Sequence, residues 1–259
     1  SGLTIFLDKH FTKAFGDQTV GERIIDGQYA TTTKYVSTTM NNNDTMFGIN
    51  FIDGRIKGYP TSKKKEQTHN KFYVLCVRGN ESYGQNNFVD KYDTTITDKA
   101  TSLMWEKNDF QSTDFENAIN ICESSTTAGY KDWKLPNVKE LHSILDYTRS
   151  PDTTSSAAIN PIFNATSFIN EKGKKDWGYY WSSTTHLNNV AKGVAASYIS
   201  FGRALGVING NILDVHGAGA QRSNDKQTEN SLGATPEIAS DSSTYYTKGP
   251  QGDILRIDN

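Results

Sequence analysis

A chain of 259 residues carrying 27 basic and 29 acidic side chains has a formal charge of −2, so no global basic field draws it to nucleic acid. The apolar fraction is only 35% while aromatics reach 11%, a balance that suits β-structure and long polar loops better than helical bundles. No stretch approaches the roughly 20 apolar residues of a membrane-spanning helix, and Cys76 and Cys122 lack the spacing of a zinc or thioredoxin-like motif. Lys63-Lys64-Lys65 is the basic run and reads as a solvated loop. Ser1-Gly2 reads as a processing remnant, which leaves export open although no signal peptide begins the chain.

In chain order, "MFGINFIDGRIKGYP" places Phe47, Ile49 and Phe51 on one face of a strand, and Asp53-Gly54 supplies a hairpin turn. "KFYVLCVRGN" (Lys71–Asn80) reads as a second strand with Val74 and Cys76 pointing inward. Residues 81–87 form a Gly/Asn-rich connector. A helix is expected over Thr113–Ser125, opened by the capping-box spacing Thr113-x-x-Glu116 and striped by Phe115, Ala118, Ile119 and Cys122. A second is expected over Pro136–Thr148, capped by Asn137 with Glu140 at N3 and striped by Val138, Leu141, Ile144 and Leu145, with His142 beside the stripe. Tyr179–Ser183, Ala196–Phe201, Ile212–His216 and Asp253–Ile257 read as strands. The long polar run from Arg222 to Gly252 shows no periodicity and reads as an insertion.

The chain also resembles itself. Tyr29-x-Thr31-Thr32-Thr33 aligns with Tyr180-x-Ser182-Ser183-Thr184, and Phe51-x-x-Gly54-Arg55 lies close to Phe201-Gly202-Arg203 in the same frame. The expected division is therefore 1–80 as the back half of a first repeat, 81–87 as connector, and 88–259 as a second repeat without its closing strand. Such a first repeat leaves an edge that invites strand addition.

"DWKLPNVKEL" (Asp132–Leu141), "YYWSSTTH", "SFGRALG" and "GPQGDILRI" together resemble the DUF1566 family, the domain at the C-terminus of the Legionella collagen-like adhesin. The likeness covers about 86–259 and recurs in part within 1–80. It implies an α+β, C-type-lectin-like fold, distantly similar to the formylglycine-generating enzyme, with two helices packed on small antiparallel sheets and long loops presenting a binding surface. It also implies export to the cell surface or beyond (the periplasm included) and a role in adhesion or glycan binding. Relatives carry a cysteine in the closing strand that pairs with one in the first helix, so the resemblance leaves Cys122 either without that partner or bridged to Cys76.

Several constellations are candidates for chemistry. Asp90, Asp93 and Asp98 in "FVDKYDTTITD" are a weak calcium loop, because Lys91 intrudes and the expected glycines are Tyr92 and Thr94. Asx-capped turns account for them equally, and no cofactor is expected. Asp214, His216 and a serine could be assembled into a hydrolytic triad, but no strained nucleophile turn supports one. The cysteines form no formylglycine-type pair, so an enzyme is not expected. Arg203, Asp214, His216, Gln221 and Arg222, with His186, are the expected ligand-binding group around "DVHGAGAQRS", since arginine forks and amides suit glycan hydroxyls and anions. The competing reading is an internal Asp214–Arg222 brace. The resulting expectation is an exported binding or adhesion module for a glycan or surface protein that also self-associates; the alternative is a structural subunit joined by edge pairing.

Overall fold

The computed structural model describes residues 15–40, 42–63, 68–111, 113–187, 193–226, 235–240, 242–248 and 252–255. Ser1-Gly2 and Lys64-Lys65 lie outside them. The described elements are mostly strands. In chain order they are β1 (Gln28–Tyr29), β2 (Lys34–Thr39), β3 (Asn43–Asn50), β4 (Arg55–Pro60), β5 (Ser62–Lys63), β6 (Thr68–His69), β7 (Phe88–Asp90), β8 (Thr95–Asp98) and β9 (Leu103–Glu106). After α1 (Phe115–Ser124) and α2 (Val138–His142) come β10 (Ser167–Ile169), β11 (Lys175–Trp177), β12 (Tyr179–His186), β13 (Ala195–Ser200), β14 (Leu205–Ile208) and β15 (Asn211–Asp214). The chain continues through β16 (Gln221–Asp225), β17 (Thr235–Ile238), β18 (Thr244–Lys248) and β19 (Asp253–Leu255).

Seven strands form one antiparallel sheet in the order β1-β3-β4-β16-β13-β12, with β2 also on β3. The expected hairpin is β3–β4, in register from Thr45↔Pro60 to Asn50↔Arg55. Its turn is held by Asn50, whose Oδ1 accepts from the Ile52 and Asp53 amides at 2.9 and 3.2 Å. The outer strand of that hairpin, β4, pairs with β16 at Ile56↔Gln221, so segments from both ends of the chain share a sheet. A second sheet runs β15-β14-β19-β18-β17, and β7-β8-β9 forms a third.

The main apolar core lies where α2 meets β13, built from Ile96, Leu141, Ile144, Trp177, Ile199 and Phe201. Burying each of the larger of these contributes roughly 1.5–3 kcal/mol. A second cluster joins Tyr35 and Phe47 of the first segment to Ala158, Ala204, Ala218 and Ala220. A third holds Leu205, Ala239, Tyr245 and Ile254 between the strands of the second sheet.

Four local expectations change. Lys71–Asn80 is not a buried strand: among the described residues its strand pairing is a single parallel bridge at Tyr73↔Tyr29, and Val74 and Cys76 are exposed. The N-cap of α1 is Asp114, whose carboxylate accepts from the Asn117 amide at N3, while Thr113 stands one residue too early. Helix α2 is only five residues long, although the Asn137/Glu140 capping box is formed as expected. The polar run after Arg222 contains β16, β17 and β18; β17 is exposed along its whole length, which is why no apolar period marks it.

Candidate functional site

The stretch Asp214–Ser223 leaves β15 and returns as β16 through a turn folded against the first segment. Gly219 has φ +107°, and a Cβ there would stand 2.6 Å from the Tyr147 ring, so both conformation and space call for glycine. Across the sheet, the Gly58 amide donates to the His216 carbonyl at 2.8 Å, an approach that a Cβ on Gly58 would block at 2.4 Å from that oxygen.

The expected binding group does not form one open surface. Arg222 is only 2% exposed and donates to the Leu205 and Ile254 carbonyls at 3.3 and 3.1 Å. Its Nε lies 3.6 Å from Asp253 Oδ2, and its guanidinium sits 5.6 Å from the Tyr179 and Tyr198 ring centroids. His216 is 1% exposed, with Nε2 3.3 Å from Asp253 Oδ1 but off the hydrogen-bond axis, so neither atom has a hydrogen-bond partner. Burial pushes the His216 imidazole down to about 4, so it is neutral at pH 7. Burial works to raise the Asp253 carboxyl, but the Arg222 charge outweighs it and holds the carboxyl well below the usual carboxylate range. The brace on Arg222 therefore exists, but its acid is Asp253 and not the expected Asp214.

Asp214 has other work. Its Oδ2 accepts from the Tyr35 hydroxyl at 2.9 Å and its Oδ1 from the Gly217 and Ala204 amides at 2.8 and 3.2 Å. Burial nevertheless pushes its carboxyl up to about 6. Gln221 donates to the Gly54 carbonyl at 2.7 Å, and His186 Nε2 lies 2.6 Å from the Asp53 carbonyl; both tie the second segment to the β3–β4 turn. Arg203 is clamped by Asp152 through its Nε and Nη2, at 3.2 and 2.6 Å, and by the Lys175 carbonyl at 3.1 Å.

Of these six residues, Arg203 and Asp214 line a cleft. It measures about 450 Å³ and is walled by Thr38, Thr39, Asp152, Asn170, Lys172 and Lys174, with both lysines exposed. Asp152 and the two lysines were missed by the sequence reading. They lie in loops with no motif, and only the fold brings them to Arg203.

The weak calcium loop is spent on turns. Asp90 accepts from the Tyr92 amide and pairs with Lys107 at 2.6 Å, while Asp93 caps Thr95. Asp98 accepts from the Asn87 and Ala100 amides, from Asn86 and from Thr101. Among the described residues no three His, Cys, Asp or Glu side chains are grouped to hold a metal.

A second, larger opening of about 940 Å³ lies between β9, α1, the loop 130–136 and β12. Its walls are apolar and aromatic: Trp105, Ile121, Trp133, Leu135, Tyr180 and Trp181. Trp181 packs edge-on to Phe115 at 5.6 Å and donates to the Thr113 carbonyl, which seats its ring against the first helix. Cys122 also lines this groove, and both it and Cys76 are free thiols.

Comparison with known proteins bears on the same region. The profile of the Lcl C-terminal domain matches residues 94–212, which span β8, both helices and the strands through β14. No curated protein and no solved structure matches the chain. No described helix is long and apolar enough to cross a membrane. The matched span carries the Asp132–Leu141, Tyr179–His186 and Ser200–Gly206 motifs, and over residues 94–212 the chain is similar to the Lcl C-terminal domain, the DUF1566 family, which is surface-associated and adhesin-like.

Proposed function

We propose that this chain is an exported, non-enzymatic binding and adhesion module that recognises a glycan in the polar cleft beside Arg203. The observation that carries this reading is the convergence of Arg203, Asp214 and Asp152 with the exposed Lys172 and Lys174 on one concave polar surface. Such a surface offers donors and acceptors for hydroxyls and two exposed cations for an acidic substituent. No cofactor is required for it. His216, Gln221, Arg222 and His186 act behind this surface, by holding the strands that shape it.

A C-type-lectin-like arrangement with a tandem partial repeat agrees with this reading. Tyr29 stands opposite Ile49 across β1–β3, and Tyr180 opposite Ile199 across β12–β13. The two self-similar segments thus use the same cross-strand pair, and the sheet places β1-β3-β4 and β16-β13-β12 back to back.

The test is a glycan array, with acidic and neutral glycans, probed with the native chain and with Lys172→Glu/Lys174→Glu. Both lysines are exposed, so the double variant is expected to fold and to lose acidic-glycan binding by about tenfold or more. Binding that ignores the substitution, or no binding at all, overturns the assignment. A second reading, a structural subunit joined by strand pairing, is favoured by the unpaired segment after Tyr73.

A further inference from the structure

Val74–Arg78 has the composition of a sheet strand and the surroundings of none. Val74 is 69% exposed, Leu75 49% and Val77 96%, and Cys76 is exposed between them. The last main-chain bonds of this stretch are at Tyr73, whose amide donates to the Gln28 carbonyl and whose carbonyl accepts from the Ala30 amide. Among the described residues no backbone group from Val74 to Arg78 has a main-chain partner. Four apolar residues with open donors and acceptors are a strand lacking a sheet.

The aromatic groove has the complementary deficit. Among the described residues β9 pairs along one edge with β8, and just beyond its end the Asn164 amide donates to the Lys107 carbonyl, which leaves the Leu103–Glu106 edge itself open. Every residue from Ser102 to Gln111 lines the groove. Side chains alternate along a strand, so an unbroken lining run means that β9 presents its open backbone edge to the space. Facing it are Ile121 and Cys122 of α1 and Trp181 of β12. The charges also match. Lys107 and Lys134 at the rim are already paired with Asp90 and Glu140, which leaves Glu106, Asp109 and Asp132 without a described cation. The free strand is flanked by two exposed cations, Lys71 and Arg78.

One chain cannot bring these features together within itself. Tyr73 is bonded beside β1, at one end of the seven-stranded sheet, and the groove borders β12 at the other end. Six strand spacings separate them, roughly 25–30 Å across the sheet. Val77, four residues beyond Tyr73, reaches at most about 14 Å.

We propose that Val74–Arg78 of one copy docks as an added strand on the β9 edge, in the groove between α1 and β12 of a second copy. The donor and acceptor lie at opposite ends of the sheet, so the contact is head-to-tail and propagates into an open chain of subunits or a ring. Cys76 of the donor enters beside Cys122 of the acceptor. This inference rests on the assembly reading and is independent of the polar cleft; glycan binding can fail while it stands.

The experiment mixes two purified variants, Cys76→Ser and Cys122→Ser, with diamide as oxidant. The Cys76 and Cys122 thiols together give up two hydrogens to the diazene bond, forming one S–S bond and a hydrazine. The expected result is a dimer whose digest contains the linked 76–122 peptide pair, absent when Val74→Asp and Val77→Asp are added to the donor. Both valines are exposed, so those substitutions spare the fold. In sedimentation without oxidant they are expected to raise the concentration for half-assembly by about tenfold or more. A synthetic peptide of residues 71–79 is expected to quench or shift the groove tryptophans and to compete with assembly. A chain that stays monomeric at high concentration, cross-links lacking the 76–122 pair, or a peptide without effect (as when another segment of the same chain fills the groove) overturns the proposal.

Discussion

Neighbouring residues of β13 face two very different interiors. Ile199 turns toward α2, where Ile96, Leu141, Ile144 and Phe201 close around it with aliphatic and aromatic carbon. Tyr198 turns the other way, toward Arg222, His216 and Asp253, where a fully charged pair is held among rings and carbonyls. Every residue of β13 is buried, and on the ionic side Arg222 and His216 are buried while Asp253 keeps partial access to solvent. The apolar side is held by area alone and accepts any well-shaped filling, whereas the ionic side depends on each partner being present in one protonation state. The ionic side is where β16, β14 and β19 meet, so it locks the second sheet onto the first.

The sharpest way to break this comparison is Arg222→Ala. It leaves the part-buried Asp253 charged without its guanidinium, and the expected loss of stability is about 3 kcal/mol in urea unfolding. Phe201→Ala on the apolar side is expected to cost a similar 3–5 kcal/mol, by cavity formation. What separates the two sides is repair. Replacing the pair together, Arg222→Met with Asp253→Leu, is expected to restore most of the loss. If the double variant is no more stable than Arg222→Ala alone, the charges contribute something that packing cannot replace.

A smaller effect comes from pH. His216 is depressed to about 4 from an ordinary value near 6.5, so its contribution is present above pH 6.5 and is lost as pH falls toward 4. Asp214 is raised to about 6 from 3.8, so its contribution is present below pH 3.8 and is lost as pH rises through 6. The two slopes oppose each other between pH 4 and 6. Asp214→Asn removes the second, and relative to the native chain it is expected to gain stability on going from pH 4 to pH 7, by up to about 3 kcal/mol. A pH-independent difference between the two proteins would show that Asp214 ionises in the fold as freely as in water.

How much of this was legible in the sequence follows from the range of each interaction. The Asp53-Gly54 hairpin and the Asn137/Glu140 box are local codes, readable within four residues, and both are present. The 16-residue separation of the Thr31 hydroxyl from its acceptor, the Phe47 carbonyl, is already beyond such codes. Arg222 finds Asp253 across 31 positions, and the polar cleft draws Thr38, Asp152, Lys172 and Asp214 from four separate stretches. "DVHGAGAQRS" is chemically loaded, but its polarity faces inward. Composition also cannot tell a strand with a partner from one without; Lys71–Asn80 reads as a buried strand because it is apolar, and the fold leaves most of it in solvent.

The smallest expected effect tests the apolar side through its local code. At five residues α2 is too short to hold itself together, since nucleation costs more than so few bonds return. It persists because its first turn is fixed. Asn137 Oδ1 accepts from the Lys139 and Glu140 amides at 2.9 and 3.0 Å, and Glu140 Oε2 accepts from the Asn137 amide at 2.8 Å. The Val138 amide donates to Thr184 Oγ1 of β12 at 3.0 Å, which ties the first turn to the sheet. Asn137→Ala removes two of those acceptor bonds and is expected to cost about 1 kcal/mol, whereas Asn137→Asp keeps them and adds a charge favoured at a helix start. Hydrogen exchange should place the loss within residues 138–142 and at Leu141, which is 3% exposed against the core. Amides of β16 and β19 should stay protected in Asn137→Ala. If they exchange faster as well, the two interiors on either side of β13 unfold as one, and the division between them is chemical without being mechanical.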